Sequence, residues 1–226
     1  MQIHRVRLGM NNGYLLMGEQ VVMVDAGASG ETEDFMRGIA DVDVHPDEIK
    51  LVVITHGHAD HIVMAQSIKR ITNAQIAIHQ AEREWLESGR PPLPPGVTTW
   101  GRIMIALSKW TGLPRWHIPP TSADILLDDE GMSLREYGVP GKVIHTPGHS
   151  PGSVSVLLDS GKVFVGDMAM SAKWLRLTPG LPIFAESVEQ VRESWTRLLR
   201  AGARTVYPGH GEPFSADVIR QALEDI

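Results

Sequence analysis

The residues most able to perform chemistry lie close together at positions 55–62, which read Thr-His-Gly-His-Ala-Asp-His-Ile. His56, His58, Asp60 and His61 place three imidazoles and one carboxylate within six residues. Neutral imidazole and carboxylate together form a ligand set suited to zinc and its neighbours in the first transition series. The segment therefore predicts a metal site.

The short apolar run at 51–54 precedes this motif and is typical of a buried strand. On an α-helix, at about 100° per residue, His56 and His58 would point to nearly opposite sides. A helical pair of metal ligands is instead spaced at i and i+4. We therefore expect the motif to be a loop that leaves a strand and lets its side chains converge.

Three later segments repeat a pattern of strand end, glycine and candidate ligand. They are Thr-Pro-Gly-His ending at His149, Val-Gly-Asp ending at Asp167, and Tyr-Pro-Gly-His-Gly around His210. Glycine beside a ligand lets the backbone approach closely where a side chain would obstruct it. Asp25 also follows a predicted strand, although an aspartate that opens an Asp-Ala-Gly turn needs no metal.

The composition narrows the choice of partners. Lys and Arg number 21 against 27 Asp and Glu, a net charge of -6, which disfavours binding to a phosphate backbone. Cysteine is absent, so a metal must be held by histidine and carboxylate alone. Charged and amide residues interrupt the first 16 positions, which show neither a signal-peptide core nor a membrane-spanning run. We expect a cytoplasmic protein that acts on a small-molecule substrate, without nucleic acid or membrane partners, and a homodimer is left open.

Strands and helices alternate along the chain in an α/β rhythm, and two successive series of short strands indicate two sheets. The length of 226 residues and the hydrophobic content of 42% favour one domain over residues 1–226. Strands are predicted at 3–8, 14–17, 21–24, 49–54, 74–78, 125–127, 142–145, 153–158, 162–165 and 205–207, with a turn at 11–13. Helices are predicted at 32–40, 62–71, 80–86, 188–200 and 216–223.

A change in composition marks an inserted helical segment at about 90–120. Four prolines at 91, 92, 94 and 95 precede an apolar stretch that contains two tryptophans. Its face could belong to the core, form a lid over a substrate pocket, or contact a second subunit, and core is the commonest fate of such a stripe. The positions at helical steps are Val97, Trp100, Met104, Leu107 and Trp110.

Taken in order, the candidate ligands resemble the signature of the metallo-β-lactamase-fold hydrolase superfamily, of the dinuclear type that includes glyoxalase II and the quorum-quenching lactonases. The resemblance implies an α/β (α+β) fold, a four-layer αββα sandwich of two mixed β-sheets flanked by helices, with metals at one edge. It also implies that Asp25 is an acceptor that orients a ligand histidine. By the resemblance, His56, His58 and His149 would bind one metal, Asp60, His61 and His210 the other, and Asp167 would bridge them.

The chemistry implied is hydrolysis. Two divalent ions, with Zn²⁺ first and iron or manganese as alternatives, two carboxylates and one bridging hydroxide leave a cluster charge of about +1. Such a cluster favours a developing oxyanion and supplies hydroxide at neutral pH. The interpretation is a dinuclear hydrolase of a carboxylic ester, lactone or thioester, with Asp60 and Asp167 as catalytic residues.

Two other classes remain open: an oxidoreductase similar to the persulfide dioxygenases, which use one iron, and a catalytically inert binding protein on the same fold. Among the hydrolases, the Gly-Cys-Gly-Arg type segment of glyoxalase II is absent, since residues 168–173 read Met-Ala-Met-Ser-Ala-Lys. Glutathione thioesters are therefore disfavoured. Lys173 and Arg176 are interpreted as solvated surface residues, and binding of a substrate anion is the less favoured alternative. The remaining histidines are predicted to lie at the surface, at caps or in the core: His4, His45, His79, His117 and His145.

Overall fold

The computed structural model describes residues 1–28, 32–112 and 117–224. Within them, each of two six-stranded sheets is paired in chain order. The first contains β1 (Gln2–Leu8), β2 (Asn11–Met17), β3 (Val21–Val24), β4 (Ile49–Val53), β5 (Gln75–His79) and β6 (Ile125–Leu127). The second contains β7 (Met132–Ser133), β8 (Gly141–His145), β9 (Val154–Leu158), β10 (Lys162–Gly166), β11 (Thr205–Pro208) and β12 (Phe214–Ser215).

Both sheets are mixed. In the first, β1 to β3 pair antiparallel and β3 to β6 pair parallel. In the second, only β10 and β11 pair parallel. The helices are α1 (Thr32–Ala40), α2 (Ala59–Ile62), α3 (Ala65–Thr72), α4 (Arg83–Ser88), α5 (Thr99–Thr111), α6 (Val188–Arg200) and α7 (Asp217–Glu224).

Three apolar clusters hold these layers together. Phe35 of α1 and Ile68 of α3 pack against the outer face of the first sheet. Trp195 of α6 packs against the outer face of the second sheet, and its indole N–H donates to the carbonyl of Met168 at 2.8 Å. The third cluster fills the space between the sheets. The predicted four-layer αββα sandwich is therefore confirmed.

Strand β4 shows why the run before the histidine motif is apolar on both faces. Leu51 and Val53 point into the cluster between the sheets, whereas Ile49 and Val52 point toward the helices. A strand covered on both faces has no polar side, as expected in parallel sheets. Beyond β4, the carbonyl of Thr55 accepts the backbone N–H of Val154 at 2.7 Å, which joins the histidine segment to the second sheet.

The structure corrects three details of the predicted elements. The predicted turn at 11–13 lies within β2, because the reversal occurs earlier, at Gly9 and Met10. The segment 55–62 is a loop only as far as His58, since Ala59–Ile62 forms a helical turn. The predicted helix 62–71 is in fact this turn followed by a separate helix, Ala65–Thr72. Strands β7 and β12 have only two residues each, so no alternating pattern in the sequence could predict them.

The helical part of the segment at about 90–120 is α5, while residues 113–116 lie outside the described residues. The Thr98 hydroxyl caps α5 by accepting the N–H of Gly101 at 3.0 Å, and Gly112 ends it in the left-handed conformation. One face of α5 is exposed rather than part of the core: Trp100 at 49%, Ile103 at 52%, Leu107 at 53% and Trp110 at 84%. Among the described helices, none has the length and apolar character to cross a membrane.

Phe164 of β10 tests the packing between the sheets. It is fully buried, and its ring centroid lies 5.0 Å from that of Tyr14 and 4.8 Å from that of Tyr207. We expect Phe164→Ala to lower the free energy of unfolding by about 3–5 kcal/mol, measured by urea denaturation. Leu177→Ala, at a side chain that is 93% exposed, is the control and should change it by less than about 0.5 kcal/mol. Equal effects in the two variants would contradict the assigned core.

Candidate metal centre

Three histidines converge on one point at the edge of the sandwich. His56 and His58 leave β4, and His149 lies in the loop between β8 and β9. His149 Nε2 lies 2.9 Å from His58 Nδ1 and 3.1 Å from His56 Nε2. The rings are nearly perpendicular to one another, with interplanar angles of 83–86°. All three side chains are buried, so their nitrogens share a small space.

A second set lies beside the first. The helical turn α2 presents Asp60 and His61, while Asp167 follows β10 and His210 follows β11. His210 Nε2 lies 3.1 Å from Asp60 Oδ2 and 3.4 Å from Asp167 Oδ2. His61 Nε2 lies 3.3 Å from Asp167 Oδ1. Imidazole and carboxylate atoms thus meet at a second point.

Asp167 lies between the two sets. Besides its contacts to the second set, its Oδ2 is 4.0 Å from His149 Nε2 of the first. The structure therefore brings all seven predicted metal ligands together. The segments that carry them are separated in sequence and come from both sheets.

Outer hydrogen bonds fix the direction of the ligand rings. His149 Nδ1–H donates to the carbonyl of Phe184 at 2.8 Å, and His210 Nδ1–H donates to the carbonyl of Met10 at 3.2 Å. Each bond leaves Nε2 directed inward, the orientation that metal-ligating histidines require. The sequence does not predict either acceptor, because every residue has a backbone carbonyl and its type therefore carries no signal.

Asp25 occupies the position expected of an orienting acceptor. Its Oδ2 lies 2.9 Å from His61 Nδ1, and its Oδ1 accepts the backbone N–H of Thr55 at 2.8 Å. The residue is buried and has a φ of 62°, a left-handed conformation that is uncommon outside glycine. The backbone at the end of β3 is therefore held in an unfavourable conformation that places this carboxylate against the ligand histidine.

The loop that carries His210 is fixed by the beginning of the chain. The backbone N–H of Asn12 donates to the carbonyl of Gly209 at 2.8 Å, and the Tyr14 hydroxyl donates to the carbonyl of Pro208 at 2.7 Å. A Cβ atom at Gly209 would lie 2.7 Å from His61 Cε1 and 2.8 Å from Asp167 Oδ1. Glycine is needed at 209 because the ligands approach its backbone so closely.

The two sets have opposite proton affinities in the metal-free protein. Burial, followed by the neighbouring imidazoles, lowers the pKa of His56 and brings that of His58 to about 3. Burial also lowers the pKa of His149. In the second set, burial opposes protonation, but Asp167 and Asp60 raise the pKa of His210 to about 10. The first set is therefore neutral, whereas the second contains imidazolium and carboxylate partners.

Both sets fit divalent metal ions. Tetrahedral zinc, with bonds to nitrogen of about 2.0–2.1 Å, separates its ligand atoms by about 3.3 Å. The observed separations of 2.9, 3.1, 3.3 and 3.4 Å lie near this value. In the described part of the chain, the buried atoms His61 Nε2 and Asp167 Oδ1 face each other at 3.3 Å without forming a hydrogen bond of suitable geometry. Buried polar atoms rarely stay unpaired, so the donor sets are suited to cations.

The family described as the Metallo-beta-lactamase superfamily matches residues 6–210. The chain belongs to this superfamily. Its fold agrees: the B3 metallo-beta-lactamase BLEG-1 superimposes with a TM-score of 0.69 at 23% identity, covering 97% of each chain. A protein solved in a di-iron-bound form gives a TM-score of 0.69 at 23% identity, covering 96% of each chain.

Several curated relatives are described as probable metallo-hydrolases. A probable metallo-hydrolase of Methanocaldococcus jannaschii is 28% identical over 214 residues, which are 89% of this chain and 88% of the relative. Hydroxyacylglutathione hydrolase GloC of Haemophilus influenzae is 26% identical over 151 residues, 66% of this chain and 61% of the relative.

The remaining polar candidates lie elsewhere. His79 and His145 stack with ring centroids 4.2 Å apart and an interplanar angle of 8°, and each lies 3.2 Å from Asp129 Oδ1. Parallel stacked rings cannot both direct an in-plane lone pair at one ion, so this group lacks the geometry of a metal site. The Arg176 side chain donates to the backbone carbonyls of Thr178 and Leu181.

A cleft of about 1090 Å³ opens onto the metal centre. Its floor includes His58, Asp60, His149, Asp167 and His210. The two cationic side chains in its lining are Arg90 and Lys109. The walls are mainly apolar and come from the proline-rich segment, α5 and the loop after β10: Leu93, Met104, Ile105, Leu107, Ile118, Met170, Trp174, Leu175 and Phe184.

The lowered pKa of His58 and the raised pKa of His210 predict how the stability of the metal-free protein depends on pH. Histidine in the unfolded chain titrates near pH 6.5. Below that pH the unfolded chain binds protons that His58, with a pKa of about 3, does not, so stability falls toward acid. Above it, His210 retains a proton that the unfolded chain releases, so its contribution is lost as the pH rises toward 10.

We therefore expect the melting temperature of chelator-treated protein to be highest near pH 6.5 and to fall on both sides. Circular dichroism melts between pH 4 and 10 measure it. His210→Asn should weaken the alkaline decline, whereas His117→Asn, at an exposed residue, should leave the profile unchanged. A melting temperature that rises from pH 6.5 to 9 would contradict the assignment.

Proposed function

We propose that this protein is a dinuclear metal-dependent hydrolase that cleaves a carboxylic ester, lactone or thioester. The observation that carries the proposal is the pair of adjacent donor sets, with Asp167 of the second set 4.0 Å from His149 of the first, at the floor of an open cleft. The metallo-hydrolase relatives support the same reaction class. Two donor sets also favour two ions over the single iron of a persulfide dioxygenase.

His56, His58 and His149 would hold one ion, Asp60, His61 and His210 the other, and Asp167 would contact both. When bound, two divalent ions supply a water of lowered pKa and polarise a substrate carbonyl. Zn²⁺ suits these donors, and iron and manganese are alternatives whose occupancy depends on cellular supply.

The chain itself supplies the position and the charge of the ligands. Asp25, Phe184 and Met10 fix the ligand rings through the contacts described above. Asp60 is partly buried and lines the cleft, and His61 and His210 hold the pKa of its carboxyl well below its usual range against the effect of burial. The buried Asp167 likewise remains ionised, because His210 and His61 hold its pKa low, so both carboxylates can balance cationic charge.

The cleft supports a substrate with an apolar group beside the scissile bond. Its walls consist mainly of Leu, Ile, Met, Pro and aromatic side chains, and the two lining cations come from residues 90 and 109 rather than from the ligand loops. Burial of an apolar group against such walls favours binding by about 0.8 kcal/mol per methylene. Esters, lactones or thioesters of medium-chain acids fit this description.

The proposal is tested with protein of defined metal content and a panel of acyl esters, lactones and thioesters, including a hydroxyacylglutathione. We expect two metal equivalents per chain and turnover of at least one ester-like class, lost on chelation and restored by Zn²⁺ or Mn²⁺. One iron per chain with oxygen uptake on a persulfide would overturn the proposal in favour of a dioxygenase. Inertness toward the whole panel with two metals bound would favour a binding protein.

Asp167→Ala removes the carboxylate between the two sets. We expect it to lose at least 100-fold in kcat and about one metal equivalent, because a neutral methyl group can neither bridge nor balance the charge of two ions. Metal analysis and initial rates measure the two effects. Asp41→Ala, at an exposed aspartate, is the control. Full activity of Asp167→Ala would refute the bridging role.

Met104 and Ile103 are neighbours on α5, but only Met104 lines the cleft. We expect Met104→Asp to lower kcat/KM for an octanoate ester relative to an acetate ester by about tenfold, the equivalent of roughly two lost methylene contacts. Ile103→Asp should leave this ratio unchanged. Equal ratios in both variants would mean that the acyl group binds elsewhere.

A further inference from the structure

Glu82 is a buried carboxylate that the metal sets do not use. It lies in the turn between β5 and α4, and its side chain is fully buried. Within the described residues, no Lys, Arg or His forms an ion pair with it. Burying an unpaired charge is unfavourable unless hydrogen bonds replace water, so its contacts should explain its presence.

Those contacts join the two loops of the three-histidine set. Glu82 Oε2 accepts the backbone N–H of Gly57 at 2.5 Å, and Oε1 accepts the backbone N–H of Gly152 at 2.7 Å. Gly57 lies between His56 and His58, and Gly152 lies three residues after His149. One carboxylate therefore links the backbone beside all three ligands.

The fit around Glu82 is close on both sides. A Cβ atom at Gly57 would lie 3.2 Å from Glu82 Oε2, and one at Gly152 would lie 2.9 Å from Glu82 Cγ. Trp85, on the following turn, stacks on His58 with an interplanar angle of 12° and ring centroids 5.7 Å apart. The start of α4 thus positions both the backbone and one ring of the first set.

We propose that Glu82 is a positioning residue that holds the His56–His58 loop and the His149 loop at the separation needed to bind the first metal. The second set receives no such link from Glu82. Its orienting partners are Asp25 and the Met10 carbonyl. Loss of Glu82 should therefore affect the two metal sites unequally.

Glu82→Gln tests this with almost no change in shape. The carboxamide has one acceptor oxygen, so one of the two backbone N–H groups faces an NH₂ donor instead. We expect the dissociation constant of the three-histidine site for Zn²⁺ to rise 10- to 100-fold, the usual effect of losing an outer partner of a metal site. The constant of the second site should change by less than about threefold. At saturating Zn²⁺ the activity should return toward that of the native protein.

Competition with a chromophoric chelator measures both constants, and His149→Ala and His210→Ala identify which binding step belongs to which set. Glu84→Gln is the matched control, because Glu84 is exposed two residues later, in the first turn of α4. Glu82→Asp is the second variant, since its charged but shorter side chain cannot reach both loops. Metal-free melts establish whether each variant is folded.

Selective weakening of the three-histidine site in either folded variant supports the proposal. Equal weakening of both sites, or unchanged binding, overturns it, and so does unfolding of both variants at saturating Zn²⁺, which would assign Glu82 to fold stability. The inference rests on the two-metal part of the proposed function. Metal binding by the native protein distinguishes failure of the proposed function from failure of the role of Glu82. A native chain that binds no metal refutes the proposed function, whereas two native sites with unchanged binding in Glu82→Gln refute the role of Glu82 alone.

Discussion

The close approach of three neutral, buried imidazoles to one another at the sheet edge is the interaction on which the rest of this structure depends. His58 Nδ1 and His56 Nε2 lie within 3.1 Å of His149 Nε2, and burial lowers the pKa of all three rings. Because His149 Nδ1–H donates to the Phe184 carbonyl, its Nε2 carries a lone pair, which needs either an N–H donor or a cation beside it. The second set compensates itself, because His210 and His61 are held protonated beside carboxylates. The two sets therefore differ in charge, since the first is neutral whereas the second contains compensating charges.

In the sandwich, the carboxyl ends of the strands position the ligand residues. Strands β4, β10 and β11 each deliver ligands within a few residues of their carboxyl ends, and both sheets bring those ends to one edge. Each ligand ring then receives a second contact from outside the set, as with Asp25 at His61. Because the loops are buried and hydrogen-bonded, the ligand geometry is a property of the fold rather than of mobile side chains.

Much of this arrangement could be predicted from the sequence. The HxHxDH segment, three glycine-flanked ligands and the alternating strands carry signals in residue type and spacing, and the predicted sandwich and superfamily are confirmed. The helical turn at Ala59–Ile62 was missed because four residues are too short for a periodic pattern. The burial of Glu82 was not predicted because a glutamate near the start of a helix is typical of the surface. Its burial depends on loops that are distant in sequence. The face of α5 is the opposite case: an apolar stripe is most often part of the core, but here it is exposed. The stripe alone does not reveal whether anything covers it.

The hydrogen bonds from Asn12 and Tyr14 to the loop of His210 join residues separated by almost 200 positions. During synthesis on the ribosome, the first sheet can form long before His210 emerges, but the second donor set stays incomplete until β11 docks beside β10. Nascent chains would therefore expose a partial histidine cluster in which the first set precedes the second. The two donor sets are therefore completed one after the other during translation, in the order in which their last residues, His149 and His210, occur in the chain.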